Sequence, residues 1–294
     1  MYRMLFMTLL FFGLSGLAYA EGTLKHPDWH PDGTKLIAEG TCTGSIDIYT
    51  LDLSSGALTN LLDLGETEGY PRWGHDGKYF VFHKMSNDRT GANIFSGVIG
   101  KDEAKVEIHR LTSGDFDIQP APAPNSPWVA YSAKGSNGQD IILKTFDWAG
   151  LTKVFKTESS DDFPSWFPDG EHLLFTSNRS GERQIYKMNI YSGSVTPIEL
   201  EGGPNFYGHI RYDGKMLVYA SERTGDREIY LYDFETGEDM RLTNRPGRDG
   251  YPKFSPDGSR IAFHSQPDGQ DYTHIVVMEL ETGLEEIFSC DSVR

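Results

Sequence analysis

Six short apolar triplets punctuate the chain: "LIA" from Leu36, "FVF" from Phe80, "VAY" from Val129, "LLF" from Leu173, "LVY" from Leu217 and "IAF" from Ile261. Each is too short for a helix and places large side chains on both faces of an extended segment, the pattern of a strand covered on two sides. A second apolar pair follows in several copies, at Ile48-Tyr49, Ile185-Tyr186 and Ile229-Tyr230, and then a turn glycine at Gly56, Gly193 or Gly237. Gly, Pro, Asp, Asn or Ser bounds every one of these segments. The pattern predicts units of four short strands.

The turns fix the period. Asp-Gly stands at residues 32, 76, 169, 213 and 257, at intervals of 44, 93, 44 and 44, and Asn125-Ser126 in "QPAPAPNSPWVAYS" divides the long interval into 49 and 44. Five residues before the turn residue lies Pro27, Pro71, Pro120, Pro164 or Pro252, with Gly208 the departure, and three before the Asp stand Trp29, Trp73, Trp166, Ile210 and Phe254. In Pro-Asp-Gly the proline presets one backbone angle and the glycine accepts a positive φ, so the Asp is expected to brace a tight hairpin. None of the copies extends into the acidic pattern of an EF-hand loop. Six such units bury both faces of every sheet when stacked radially, so the expected fold class is all-β, a six-bladed β-propeller of four-stranded antiparallel blades. Blade 2 is the longest, its extra residues falling within "HKMSNDRTGANIFSGVIGKDEAKVEIHRLT" as an extended hairpin.

The first twenty residues, "MYRMLFMTLLFFGLSGLAYA", combine Arg3, an apolar run from Leu5 to Leu17 and an Ala-Tyr-Ala ending. They read as a cleaved secretory signal peptide (1–20), with residues 21–294 as one propeller domain in the periplasm. Without Arg3, 26 basic side chains stand against 43 acidic ones, a net charge of −17 that repels nucleic-acid backbones. Neither Cys42 nor Cys290 has a Cys or His at zinc-ligand spacing. Cys42 falls on the second hairpin of blade 1 and Cys290 follows the last strand of blade 6, blades that adjoin in a closed ring. A Cys42–Cys290 disulfide is therefore expected to latch a ring in which no terminal strand is left over to complete another blade.

The segments "YPRWGHDGKYFVF", "FPSWFPDGEHLLFTSNRSGERQIY", "ASERTGDREIYLYDFETGEDMRLT" and "YPKFSPDGSRIAFHS" resemble the repeats of TolB-type propellers, the periplasmic component of the Tol-Pal system. The resemblance spans nearly all of residues 25–289. It implies an exported, monomeric, non-enzymatic scaffold whose propeller face receives an envelope protein or peptide. TolB-type chains carry an α/β domain ahead of the propeller, and only Glu21 to about Lys25 precede blade 1 here, so the likeness is to the propeller alone. Similar repeats occur in peptidase-associated propellers and in oligogalacturonate lyase. The second suggests an alternative, a metal-assisted polysaccharide lyase or hydrolase using channel histidines, for which the matched pair His83 and His264 are the nearest counterparts. The peptidase reading lacks a nucleophile elbow in the mature chain, and no residue is assigned as catalytic or as a metal ligand.

Eight residues before the turn position lies a second periodic set: Glu68, Asp117, Asp161, Asn205 and Asp249, with Leu24 in blade 1. These sit where one blade's outer strand passes to the next blade's inner strand. Two readings stand: each caps its own loop, or together they form an acidic rim at one channel mouth that recruits a basic peptide or a Ca²⁺ ion. Arg179 and Arg223, in "SNRSG" and "SERTG", are expected to be solvated turn residues.

Overall fold

A computed structural model of the protein describes residues 22–100, 105–146 and 150–292. The signal-peptide expectation for residues 1–20 lies outside the described residues. Twenty-four strands form six consecutive four-stranded antiparallel blades, each built in sequence order from the channel outward. The inner strands are Leu24–Trp29, Thr67–Trp73, Asp117–Pro122, Asp161–Trp166, Asn205–Ile210 and Gly247–Phe254. Blades 5 and 6 are further joined by one parallel bridge between Arg227 and Arg248. In blade 2 the third strand runs Ala92–Ile99, within the segment expected to hold the extra residues.

The core lies between blades. The apolar triplets of the second strands are buried, and they meet the inner and third strands of a neighbour in six separate clusters, one at each seam. At the seam of blades 1 and 2, for example, Ile37 and Ile48 pack on Trp73, Phe80 and Phe82. The ring closes between blades 6 and 1 by the same packing, with Leu24, Leu36 and Tyr49 against Ala262, Ile275 and Phe288. Across that seam the Leu24 amide donates to the Thr273 carbonyl at 3.0 Å, and the Thr273 hydroxyl donates to the Leu24 carbonyl at 2.6 Å. Cys42 and Cys290 are disulfide-bonded beside it.

The Asp-Gly pairs close the hairpins between first and second strands. Asp32 Oδ1 accepts from the Thr34 amide at 2.9 Å and Asp257 Oδ1 from the Ser259 amide at 3.1 Å, and the glycine that follows each Asp has φ between 67° and 75°. These are bracing turns, and they stand in a ring on one face of the propeller.

Candidate binding funnel at the channel mouth

Each inner strand breaks its pairing register at one position, and the residue there takes a left-handed backbone: His26, Tyr70, Gln119, Phe163, Tyr207 and Tyr251, with φ between 52° and 57°. Five of the six immediately precede a proline. Bulky residues resist this conformation, and six in register mean that the surroundings enforce it. The bulge swings the amide toward the preceding blade. The Tyr70 amide donates to Glu39 Oε2 at 2.8 Å, that of Phe163 to Gln119 Oε1 at 3.1 Å, that of Tyr207 to Thr176 Oγ1 at 3.4 Å, and those of Gln119 and His26 to His83 and His264 Nδ1 at 3.5 Å. Four of these acceptors, Glu39, His83, Thr176 and His264, occupy one equivalent position on their second strands. His83 and His264 are thus structural acceptors between blades.

The bulged side chains meet on the axis and plug the channel. Tyr207 stacks on Tyr251 with ring centroids 3.7 Å apart, His26 stacks on Tyr70 at 3.8 Å, Phe163 meets Tyr207 edge-on at 4.6 Å, and the Tyr70 and Tyr251 hydroxyls are 2.5 Å apart. Burial keeps the two phenols protonated, far above their usual range, and holds His26, His83 and His264 below the usual imidazole value, so the histidines are neutral.

Two residues further along each inner strand lies a second ring: Asp28, Arg72, Ala121, Ser165, His209 and Lys253. Three more residues on lies a third, Pro31, His75, Pro124, Pro168, Tyr212 and Pro256, each just before its turn residue. Together these rings enclose a funnel of about 250 Å³ between the plug and the turn face. Its floor is charged. Arg72 Nη1 donates to the His26 carbonyl at 3.2 Å and to the Pro71 carbonyl at 2.9 Å, and Asp28 Oδ2 accepts from the Trp73 amide at 2.9 Å. Burial, aided by Arg72, pulls Lys253 down to about 7, and burial with Lys253 and Arg72 lowers His209 well below its usual value. Burial raises Asp28. A chain that is acidic overall therefore presents the Arg72 guanidinium at the bottom of this pocket, joined by a Lys253 ammonium that is charged below about pH 7. The walls are fixed by indoles: Trp29 Nε1 donates to the Lys253 carbonyl at 3.0 Å and Trp166 Nε1 to the Ala121 carbonyl at 2.9 Å.

The residues expected at an acidic rim lie elsewhere. Glu68, Asp117, Asp161, Asn205 and Asp249 mark the opposite ends of the inner strands, on the face that carries the disulfide, and none is more than 4% exposed. They cap and cross-link loops rather than ring an open mouth. Asp161 accepts from Ser177 Oγ at 2.6 Å and from Arg179 Nη2 at 2.7 Å, Asn205 Nδ2 donates to the Gly202 carbonyl at 3.1 Å, Asp117 accepts from the Gly114 amide at 3.1 Å, and Asp249 lies 3.2 Å from Arg245 Nε. Burial pushes Glu68 up to about 7. The physical reason is that a polar side chain starting an inner strand turns into the seam, where unpaired loop amides need an acceptor. Arg179 and Arg223 also differ from the solvated residues expected: the first pairs with Asp161 and the second with Asp239 at 2.8 Å, over the Tyr186 and Tyr230 rings respectively. Among the described residues, the one group of three or more metal-ligating side chains whose ligand atoms lie within 4.8 Å of one another is Asp47, Asp63 and Glu68, and the channel histidines do not form another. The funnel rings were missed because only the proline and the turn were read, although "YPRW", "FPSW" and "YPKF" each begin on a plug residue.

Residues 118–223 match the family model described as the TolB beta propeller domain. The Tol-Pal system protein TolB of Francisella tularensis subsp. holarctica (strain OSU18) is 23% identical over 188 residues, 62% of this chain and 42% of that protein. A TolB homolog of Chlorobium luteolum is 24% identical over 163 residues, 55% of this chain and 36% of that one. The chain thus spans less than half the length of these curated relatives. Among solved structures, TolB from Acinetobacter baumannii superposes with a TM-score of 0.70 at 18% identity, covering 92% of this chain and 63% of that one. The oligogalacturonate lyase of Vibrio parahaemolyticus gives 0.56 at 16% identity, covering 87% and 89%. At these identities the structural likenesses show the fold. The chain is a six-bladed β-propeller similar to that of TolB.

Proposed function

We propose that this protein is an exported, non-enzymatic scaffold of the bacterial envelope that receives a segment of another envelope protein in the funnel on its turn face. The observation that carries the reading is the funnel floor, where Arg72 and Lys253 stand beside a single carboxylate, Asp28, beneath a rim of prolines, His75 and Tyr212. Such a site suits an extended peptide that leads with a carboxylate, from a side chain or a chain terminus, and lays apolar groups on the prolines and indoles. The plug closes the channel behind it, so a ligand enters from one face and stops. The likeness to TolB, named as a Tol-Pal system protein, supports a place in the periplasm, and among the described residues no helix is long and apolar enough to cross a membrane.

The test is affinity capture from envelope extract with three baits: the wild type, a Lys253→Met/Tyr212→Ala funnel variant, and an Asp117→Asn/Asp249→Asn variant of the opposite face. A partner retained by the wild type and the second variant but lost from the funnel variant supports the reading. Retention by the funnel variant overturns it.

A further inference from the structure

We infer that the seam between blades 1 and 2 holds a Ca²⁺ ion on Asp47, Asp63 and Glu68. The six repeats supply the comparison. In blades 1 to 5 the residue just before the buried Ile near the start of the third strand is polar, and it corresponds to the periodic polar position of the next inner strand: Asp47 with Glu68, Asn93 with Asp117, Asp140 with Asp161, Gln184 with Asn205, and Glu228 with Asp249.

Four of these five pairs are resolved within the protein. Gln184 and Asn205 are neutral and share a hydrogen bond of 2.8 Å. Glu228 and Asp249 are both acidic, and although neither Asp249 oxygen accepts a hydrogen bond, both charges are matched by arginine: Arg241 pairs with Glu228 at 2.7 Å and Arg245 lies 3.2 Å from Asp249. Asp140 accepts from the Thr157 amide at 3.1 Å, and Arg179 neutralises Asp161. Asn93 is an amide, held by Arg110 at 2.6 Å, and its neighbour Asp117 caps Gly114.

The pair Asp47 and Glu68 has no such resolution. Both side chains are fully buried, and Asp47 Oδ1 and Glu68 Oε1 have no hydrogen-bond partner. A third carboxylate, Asp63, joins them from the loop between the blades, and one oxygen from each of the three lies within 4.8 Å of the others. The nearby Lys84 ammonium is bound to Glu66 at 2.8 Å. Meanwhile Asp47 is held in place through its other oxygen, Oδ2, by Thr43 Oγ1 at 2.7 Å, Ser45 Oγ at 3.0 Å and Asn60 Nδ2 at 3.1 Å. Three donors on one oxygen fix the carboxylate and leave the second to face the cluster. Two buried carboxylate oxygens left without a partner are costly, and a cation between them removes that cost.

The donor set chooses the ion. Three carboxylates with no nitrogen or sulfur suit a hard cation. Ca²⁺ binds oxygen at about 2.3 to 2.6 Å in flexible geometry, so oxygens sharing one ion lie up to roughly 5 Å apart, which the three oxygens here satisfy; Mg²⁺ demands near-ideal octahedral geometry and gives up its water reluctantly, which suits this all-protein cluster less. Asp63 is exposed, which leaves one side open for water to complete the coordination. Thr43 adjoins Cys42, so an ion at this seam would tie the disulfide-bearing hairpin of blade 1 to blade 2.

The test uses the chelator-treated mature protein titrated with CaCl2 by calorimetry, with thermal midpoints measured in CaCl2 and in MgCl2 at matched ionic strength. One site and a higher midpoint in CaCl2 are expected. Asp63→Asn removes a surface ligand whose role in the fold is confined to capping the Gly65 amide, so this variant should fold and lose Ca²⁺ affinity by about tenfold or more. Glu281→Gln, an exposed acid far from the seam, should bind as the wild type does. Absence of binding, equal binding by Asp63→Asn, or full replacement of the CaCl2 effect by MgCl2 would overturn the site.

Discussion

Replacing Lys253 with Met should stabilise the protein at neutral pH while weakening what the funnel holds. Lys253 is 8% exposed, and its ammonium faces Arg72 with Asp28 as the nearest opposing charge, so its folded pKa falls from 10.5 to about 7. Each pKa unit corresponds to about 1.4 kcal/mol, so a fall from 10.5 to about 7 puts the cost of carrying this charge into the fold at about 5 kcal/mol as an upper figure. Between the folded and unfolded values the unfolded chain keeps a proton that the folded protein has lost. Stability therefore rises with pH through that window, and the cost is complete below about pH 7 and gone above the unfolded value. The lowered histidines His26, His83, His209 and His264 act only up to their unfolded value near 6.5, and the raised Tyr70 and Tyr251 only above 10. From about pH 8 to 10, then, Lys253 should dominate, with a wild-type slope approaching 1.4 kcal/mol per pH unit. Urea unfolding midpoints at constant m should show this slope in the wild type and its loss in Lys253→Met. A flat wild-type profile over that window, or a variant less stable at pH 7, would refute the reasoning.

Gly214 has φ 75° and no atom within 4 Å of where a Cβ would stand, so Gly214→Val tests backbone strain alone and should cost about 1 to 3 kcal/mol in urea unfolding without loss of ligand; unchanged stability would remove the turn argument. Asp161→Asn deprives Arg179 of its partner within the seam of blades 3 and 4, and a drop in thermal midpoint with captured partner unchanged is expected; the reverse pattern would return that residue to a binding role. Thiol titration of the unfolded, unreduced chain should find no free Cys, and reduction should lower the midpoint by an amount bounded at roughly 5 kcal/mol in the chain-entropy model; two titratable thiols would exclude the latch.

The fold was legible because its signal is repeated. A 44-residue period in turns and apolar triplets survives individual departures such as Gly208 or Asn125, since the other copies set the frame. Burial at a repeated polar position was not legible. Asp161 at the start of a strand reads equally well as a loop cap or as a rim charge, and only the position of Arg179, eighteen residues on, decides between them. The plug was hidden for a more specific reason. A residue before proline is ordinarily pushed toward extended backbone, so Tyr70 and Tyr251 read as plain strand residues pointing across a sheet. The enforced bulge instead turns them onto the axis, through acceptors such as Glu39 and Thr176 that lie in the neighbouring blade.

The funnel's second ring is polarised around the axis, and this gives its occupant an orientation. His209, Lys253, Asp28 and Arg72 come from the adjoining blades 5, 6, 1 and 2, whereas blades 3 and 4 contribute Ala121 and Ser165. The small pair opens the side of the pocket where Pro124, Trp166 and Pro168 form an apolar wall. A peptide that sets its carboxylate toward Arg72 and Lys253 must therefore carry its next apolar group over Ala121. Ala121→Leu fills that side and leaves every charge in place. Ala121 borders both the funnel and the packed seam of blades 3 and 4, so partner binding should fall by more than any drop in thermal midpoint accounts for, and the residual binding should keep its wild-type salt dependence. Lys253→Met should give the complementary result, weaker binding with a shallower salt dependence. If Ala121→Leu binds the partner as the wild type does, the ligand does not enter between blades 3 and 4, and the orientation fails even where the charged floor survives.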